Sequence, residues 1–214
     1  MKIKNKPKIG TIHRFLDIIR HGLLLFGIRN RLAKIGLDIN PYYWVQEEYT
    51  ECQEPEIKGN KSDYTLRYLD IDQLKLITNL DVNFDSESMI EGVKKGQLCI
   101  GLEHNSEIAA FLFIDYNDFV FSDRLFHLKE NEAYVLNVWT FHPYRSKNLA
   151  SYLRYLSYQL LKSQGINVKY SIIQFFNKSS IKVINKLNAK YLKLYLSIVL
   201  FKRYYWNFII WDYE

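Results

Sequence analysis

Cysteine is nearly missing from this chain: Cys52 and Cys99 are the two present among 214 residues. Two thiols so far apart give neither a disulfide framework nor a metal-ligand spacing, and both read as buried or idle. Histidine is as sparse. His13, His21, His104, His127 and His142 are scattered rather than clustered, so no metal site is expected. Long apolar runs are lacking too. Asp17, Arg20 and His21 interrupt the most apolar N-terminal stretch, which excludes a spanning helix of about 20 apolar residues and the apolar core of a signal peptide. The expectation is a cytoplasmic protein. What remains is globular in composition, 48% hydrophobic and 24% charged, and long enough for one well-buried core with an appendage. Its 17 Tyr and 13 Phe suit a strand-rich fold.

Acid is lacking at the N-terminus. Residues 1–34 hold nine Lys/Arg and one acid, a net +8, while the remaining 20 basic and 22 acidic residues sum to −2. Ile12, Phe15, Leu16, Ile19, Leu23 and Phe26 fall on one helical face and the charges elsewhere, so this arm reads as a basic amphipathic helix. Gly22 and Gly27 predict a bend or a second short helix through Ile28, Leu32 and Ile35, ending before Gly36. Three readings stay open for the arm. It packs on the rest of the protein or on a second subunit as a homodimer, it lies peripherally on an anionic cytoplasmic membrane face, or it binds nucleic acid. The last is disfavoured, because no recognition motif accompanies the charge.

From 38 to 72 the balance reverses, with Glu47, Glu48, Glu51, Glu54 and Glu56 crowded together and Pro41 and Pro55 breaking regular structure. This segment reads as an acidic connector. Its aromatic island, Pro41-Tyr42-Tyr43-Trp44-Val45, either packs on the core or lines an acceptor pocket. The division expected is an arm and connector over 1–61 and a catalytic domain over 62–214. In the latter, 64–69 alternates as a strand, 70–80 and 85–95 read as helices, and 97–103 with 108–116 form a hairpin around His104-Asn105-Ser106.

The richest segment follows. Residues 133–141, AYVLNVWTF, form a strand rich in β-branched and aromatic residues that ends at Pro143. Leu149, Leu153, Leu156 and Leu160 make one helical stripe, with Gly165 placed to stop it. Between strand and helix lies Arg145-Ser146-Lys147-Asn148. Such a turn aims unpaired N–H groups of the helix, its positive dipole end and two cations at one point where an anion can sit. A solvated basic turn before an ordinary core helix is the plainer reading of the turn alone. Another strand (168–176) and a short helix from Asn177 follow, with Ser180 and Lys186-Leu187-Asn188 along it.

At this point the chain resembles the GNAT superfamily of N-acetyltransferases. Arg145-Ser146-Lys147-Asn148-Leu149-Ala150 matches that family's R/Q-x-x-G-x-G/A turn, with Asn148 where Gly is usual. Asn177, Ser180 and Lys186-Leu187 match its downstream helix, with Asn188 for Gly and Ala189 for Phe. Asn tolerates positive φ best among non-glycine residues, so the backbone is expected to keep its shape, while the Asn148 side chain would narrow the pyrophosphate site. The resemblance covers 62–214. It implies a mixed α/β fold, a central mostly antiparallel sheet flanked by helices behind the N-terminal helical arm, and acetyl-CoA as cosubstrate without a metal. It also implies a cofactor site of Trp139, Thr140, Phe141, Arg145, Ser146, Lys147, Asn148, Leu149, Ala150, Asn177 and Ser180, with backbone groups of Trp139, Thr140 and Phe141 exposed to pantetheine by a splay of the strand before the turn.

Acyl transfer to an amine needs oxyanion donors and a proton route. The Glu and Tyr that many members of the family use are both missing: Asn137 stands at the base position and Ile184 at the Tyr position. Asn137 is the catalytic candidate, orienting a water, with Glu132, Asp115, His127 and His142 behind it. The function expected is transfer of an acetyl or longer acyl group from CoA to a small-molecule amine, an amino sugar being the first acceptor considered. The alternative is a non-catalytic GNAT-fold module that binds CoA or a partner.

Overall fold

The computed structural model describes residues 24–78 and 86–213. Helix α1 (Leu24–Lys34) opens this part and leads through Gly36, whose φ of +96° turns the chain, into strand β1 (Leu37–Glu47). Then come β2 (Thr65–Tyr68), helices α2 (Ile71–Thr78) and α3 (Ser86–Lys94), the hairpin β3 (Leu98–His104) and β4 (Glu107–Asp115), and a small hairpin β5 (Phe119–Phe121) and β6 (Arg124–Phe126). Strand β7 (Glu132–Thr140), helix α4 (Leu149–Ser163), β8 (Val168–Gln174), helix α5 (Lys178–Asn185), β9 (Lys190–Leu200) and β10 (Tyr204–Asp212) complete it. The expected strand, helix and hairpin positions from 64 onward are present. Among the described residues no helix is long and apolar enough to cross a membrane.

Eight strands form one sheet in the order β10-β9-β1-β8-β7-β4-β3-β2. Neighbours run antiparallel except β7 and β8. Strand alternation sorts the core into two layers. Ile100, Leu102, Leu112 and Val135 pack under Leu149, Leu153 and Leu161 of α4, and Leu156 and Leu160 of the predicted leucine stripe are partly buried against this cluster. Their neighbours Cys99, Phe111 and Phe113 face the other way, against Leu74 and Ile77 of α2 and Met89 of α3. Tyr134, on that second face, stacks on Phe119 of the β5–β6 hairpin at 3.9 Å between ring centres. Helix α5 lies on the α4 side, where Ile184 meets Val45 and Ile173.

The sequence reading of 38–72 as a connector is corrected here. Its first part is β1, an interior strand between β8 and β9. Pro41 misled the reading, because proline is confined to sheet edges unless its missing N–H faces no partner. That condition holds. Pro41 O accepts from Phe175 N, so the ring nitrogen, which points the same way along a strand, also faces the β8 side, just beyond Gln174 where β8 ends; the ladder to β9 through Leu196 loses nothing. The aromatic island packs, with Tyr42 among Phe126 and Tyr195.

Residues 1–23 lie outside the described part, and with them most of the predicted amphipathic stripe. In the remainder of the arm a short helix, α1, runs through Gly27 and carries Ile28 and Leu32, ending before Gly36 as the expected second short helix does. Arg29 on α1 donates to both Asp38 carboxylate oxygens, at 2.6 and 2.8 Å, and to Gln174 Oε1 at 2.9 Å.

Candidate functional site

Strands β7 and β8 pair in parallel only from Glu132–Tyr134 to Val168–Tyr170. Beyond that point β8 continues with β1, from Ser171↔Val45 to Gln174↔Tyr42, and β7 continues with β4 up to Thr140↔Ala110. The two strands therefore part, and the opening lies directly ahead of α4. On β7 the register with β4 shifts between the pairs Leu136–Phe113 and Trp139–Phe111, and Asn137 within this bulge has φ +51°. A bulge of this kind bends the strand and re-aims its side chains.

The expected splay is present, but the three residues assigned to it are not equivalent. Phe141 N donates to Ala109 O at 3.0 Å, so its backbone, and by the two-residue period that of Trp139, faces β4. Thr140 faces the opening. Its carbonyl accepts from Arg145 Nε at 3.1 Å, and the Arg145 guanidinium lies 5.2 Å from the Trp139 ring. Thr140 Oγ1 on β7 and Ser171 Oγ on β8 are buried without a hydrogen-bond partner among the described residues.

After β7 a single 3₁₀ turn, His142–Tyr144, delivers the chain to Arg145. Ser146 and Asn148 both adopt left-handed φ, +63° and +64°, as the Gly-to-Asn departure at 148 predicts. Asn148 is the N-cap of α4 by position but makes no capping hydrogen bond, so its side chain does not compete for the first helical amides, those of Leu149, Ala150 and Ser151. Arg145 and Ser146 are exposed. Lys147 Nζ sits 5.2 Å from the Tyr144 ring.

The Asn148 side chain is held by three partners: Nδ2 donates to Glu56 O at 2.7 Å, and Oδ1 accepts from Ser151 Oγ at 2.9 Å and Lys186 Nζ at 3.2 Å. Asn188, the other Asn in place of glycine, has φ +54° and donates to Glu51 O at 2.9 Å. Both departures from the motif thus hold the chain between β1 and β2. Tyr49 N to Asn188 O and Lys58 N to Lys147 O add backbone ties, and Cys52 is buried with Tyr158 and Leu187. The acidic connector is a strap laid along α4 and α5, and Lys186 is a third cation at the turn. The sequence offered Lys186 only as part of a motif; its contact with Asn148 depends on the strap's geometry.

Asn177 and Ser180 make a helix cap, Asn177 Oδ1 accepting from Ser180 N at 3.1 Å. Ile184, at the position expected of a Tyr, is fully buried. Asn137 is exposed toward the opposite face, in a cleft of about 210 Å³ between Glu91 and Gly92 of α3, Lys95 just beyond it, Gln97, and Leu136. Glu91 is the carboxylate there. It bonds Lys95 at 2.7 Å, which holds its carboxyl below the usual range; in sequence this pair reads as an ordinary i,i+4 helix contact. The other acid–base candidates lie apart. Glu132 accepts from Lys129 N where β7 and β8 are still paired, Asp115 accepts from Gln97 Nε2 at 2.7 Å and Asn117 N, His127 pairs with Asp118 at 2.7 Å, and His142 is exposed in the 3₁₀ turn. Among the described residues no group of three His, Cys, Asp or Glu is placed to hold a metal ion.

No protein-family model and no curated protein matches the chain. Solved structures match it in fold. A GNAT-family acetyltransferase from Novosphingobium aromaticivorans superposes with a TM-score of 0.53 at 17% identity, over 77% of this chain and 66% of that one. A GNAT-family acetyltransferase from Colwellia psychrerythraea gives 0.55 at 10% identity, over 83% and 62%. The glucosamine N-acetyltransferase region of a fungal multi-domain β-N-acetylglucosaminidase gives 0.56 at 12% identity, over 90% and 23%. This chain spans less than two thirds of the length of each of these structures. The mixed α/β arrangement, with its large mostly antiparallel sheet flanked by helices, is the GNAT fold.

Proposed function

We propose that this GNAT-fold chain transfers an acetyl or other acyl group from acyl-CoA to the amine of a small molecule. The observation that carries the reading is the parting of β7 and β8 immediately ahead of an uncapped helix N-terminus flanked by Arg145, Lys147 and Lys186. A pyrophosphate meets the first amides of α4, the helix dipole and those cations. The opening offers pantetheine the Thr140 backbone and two buried hydroxyls that lack partners among the described residues, Thr140 Oγ1 and Ser171 Oγ.

The acceptor approaches from the α3 side, through the cleft that ends at Asn137. No carboxylate stands on the bulge, so Asn137 acts by orienting a water that relays the amine proton through the open cleft to solvent. An amino sugar is the acceptor class proposed, in keeping with the glucosamine N-acetyltransferase region that shares the fold. The second reading, a CoA-binding module without turnover, is favoured by one observation: Ile184 buries an apolar side chain where an acid for the departing thiolate is expected.

Thiol release from acetyl-CoA, followed across a panel of amino sugars and simple amines, tests both. Acceptor-dependent thiol release that falls at least tenfold in Asn137→Ala establishes transfer. CoA binding by calorimetry with no release above background establishes the module, and absence of both removes the assignment.

A further inference from the structure

Among the described residues strand β10 ends the sheet and pairs on one side only, with β9. Edge strands are usually protected by charge, proline or short length, yet β10 reads YYWNFIIWD, with no charge before its last residue. Trp206, Phe208, Ile209 and Trp211 expose 43%, 47%, 53% and 61% of their surfaces. Alternation puts Tyr204, Trp206 and Phe208 on one face and Tyr205 and Ile209 on the other, and the bulge between Ile209 and Trp211 returns Trp211 to the first. Both faces of the edge are therefore apolar and open. Half-exposed aromatic and aliphatic side chains along such a strand offer roughly 800 Å², about what one partner contributes to a stable interface.

Charge and backbone select the occupant. Lys202 and Arg203 precede the strand, and Asp212, which pairs with Lys193 of β9 at 3.2 Å, closes it, so parallel self-pairing opposes two cationic ends, whereas antiparallel self-pairing sets the cationic end of one copy beside the Lys193–Asp212 pair of the other. Lipid would leave the outer row of N–H and C=O groups unsatisfied; a second strand satisfies them. We propose that β10 pairs antiparallel with β10 of a second copy of this chain about a two-fold axis, joining two sheets into one.

Light scattering on the intact chain at about 50 µM, a concentration at which a micromolar dimer is populated, is expected to give twice the 25.6 kDa chain mass. Trp206→Lys with Phe208→Lys is expected to give a monomer with unchanged circular dichroism. Should that variant misfold, the ends decide the matter. Asp212→Lys alone, or Lys202→Glu with Arg203→Glu, is expected to weaken dimerisation about tenfold, and combining all three to restore it. An intact monomer overturns the proposal, as does a dimer indifferent to both sets of changes. An intact monomer that floats with phosphatidylcholine vesicles assigns the strand to lipid instead. A monomer in which benzoylphenylalanine at position 206 crosslinks to residues 1–23 assigns it to the chain's own N-terminus.

Discussion

Lys169 Nζ lies 2.6 Å from Glu48 Oε2, and the two side chains expose 2% and 3% of their surfaces. Beside them Glu47 is fully buried and accepts from Arg154 and Tyr158 of α4. Four charges of balanced sign thus fasten the end of β1 to α4 and β8. Removing one member leaves its partner charged and dry, while removing both does not.

Glu48→Leu alone is therefore expected to destabilise the protein by about 3–5 kcal/mol, and Glu48→Leu with Lys169→Met by much less. Urea denaturation of the two variants checks this. Equal losses would mean that the pair contributes shape rather than charge balance.

Arg145→Glu replaces attraction with repulsion at the turn and is expected to weaken CoA binding by well over tenfold, about 1.4 kcal/mol or more. The side chain rests on Thr140 O at the surface, so the folded state should tolerate the change. Calorimetry with an unchanged melting temperature isolates the effect, and unaltered affinity would remove the turn from the site.

Asn148→Gly suits the left-handed backbone but loses the hold on Glu56 and Lys186. The expected cost is about 1 kcal/mol, with faster tryptic cleavage at Lys58 and Lys61. Asn188→Gly should loosen the other end of the strap in the same way. Slower cleavage in either variant would show that the two asparagines do not secure the strap.

Burial pushes the Cys99 thiol far up, and burial together with Glu48 pushes Cys52 up. Both thiols stay protonated at pH 8, so the native protein is expected to resist a disulfide reagent there and to release two equivalents only in denaturant. Rapid native labelling at either position would show that the strap or the α2–α3 layer opens readily.

What could be read in the sequence was whatever repeats locally. The alternation of 97–103 and 108–116, the Leu149 to Leu160 stripe and the turn between strand and helix each carry their signal within about a dozen residues, and each is in place. β1 was not legible because its signal is global: it is flanked by strands on both sides, and Pro41 is acceptable only because β8 ends one residue short of it. Asn148 and Asn188 were legible as backbone conformations and not as side chains, since their partners, Glu56 O and Glu51 O, are main-chain atoms about 90 and 140 residues away. Glu91 hid in an i,i+4 pair that any surface helix displays.

The interior place of β1 also imposes an order of assembly. Tyr42 is synthesised early, but its neighbours on either side are Gln174 and Tyr195. At roughly 5–20 residues per second, a ribosome takes on the order of 10 s or more to supply them. During that interval an aromatic β-strand has neither neighbour and the sheet has a gap in its middle. Pairings so distant in sequence are slow to form, so closure around β1 is expected to limit the folding rate, and the waiting segment is where a chaperone would bind the nascent chain.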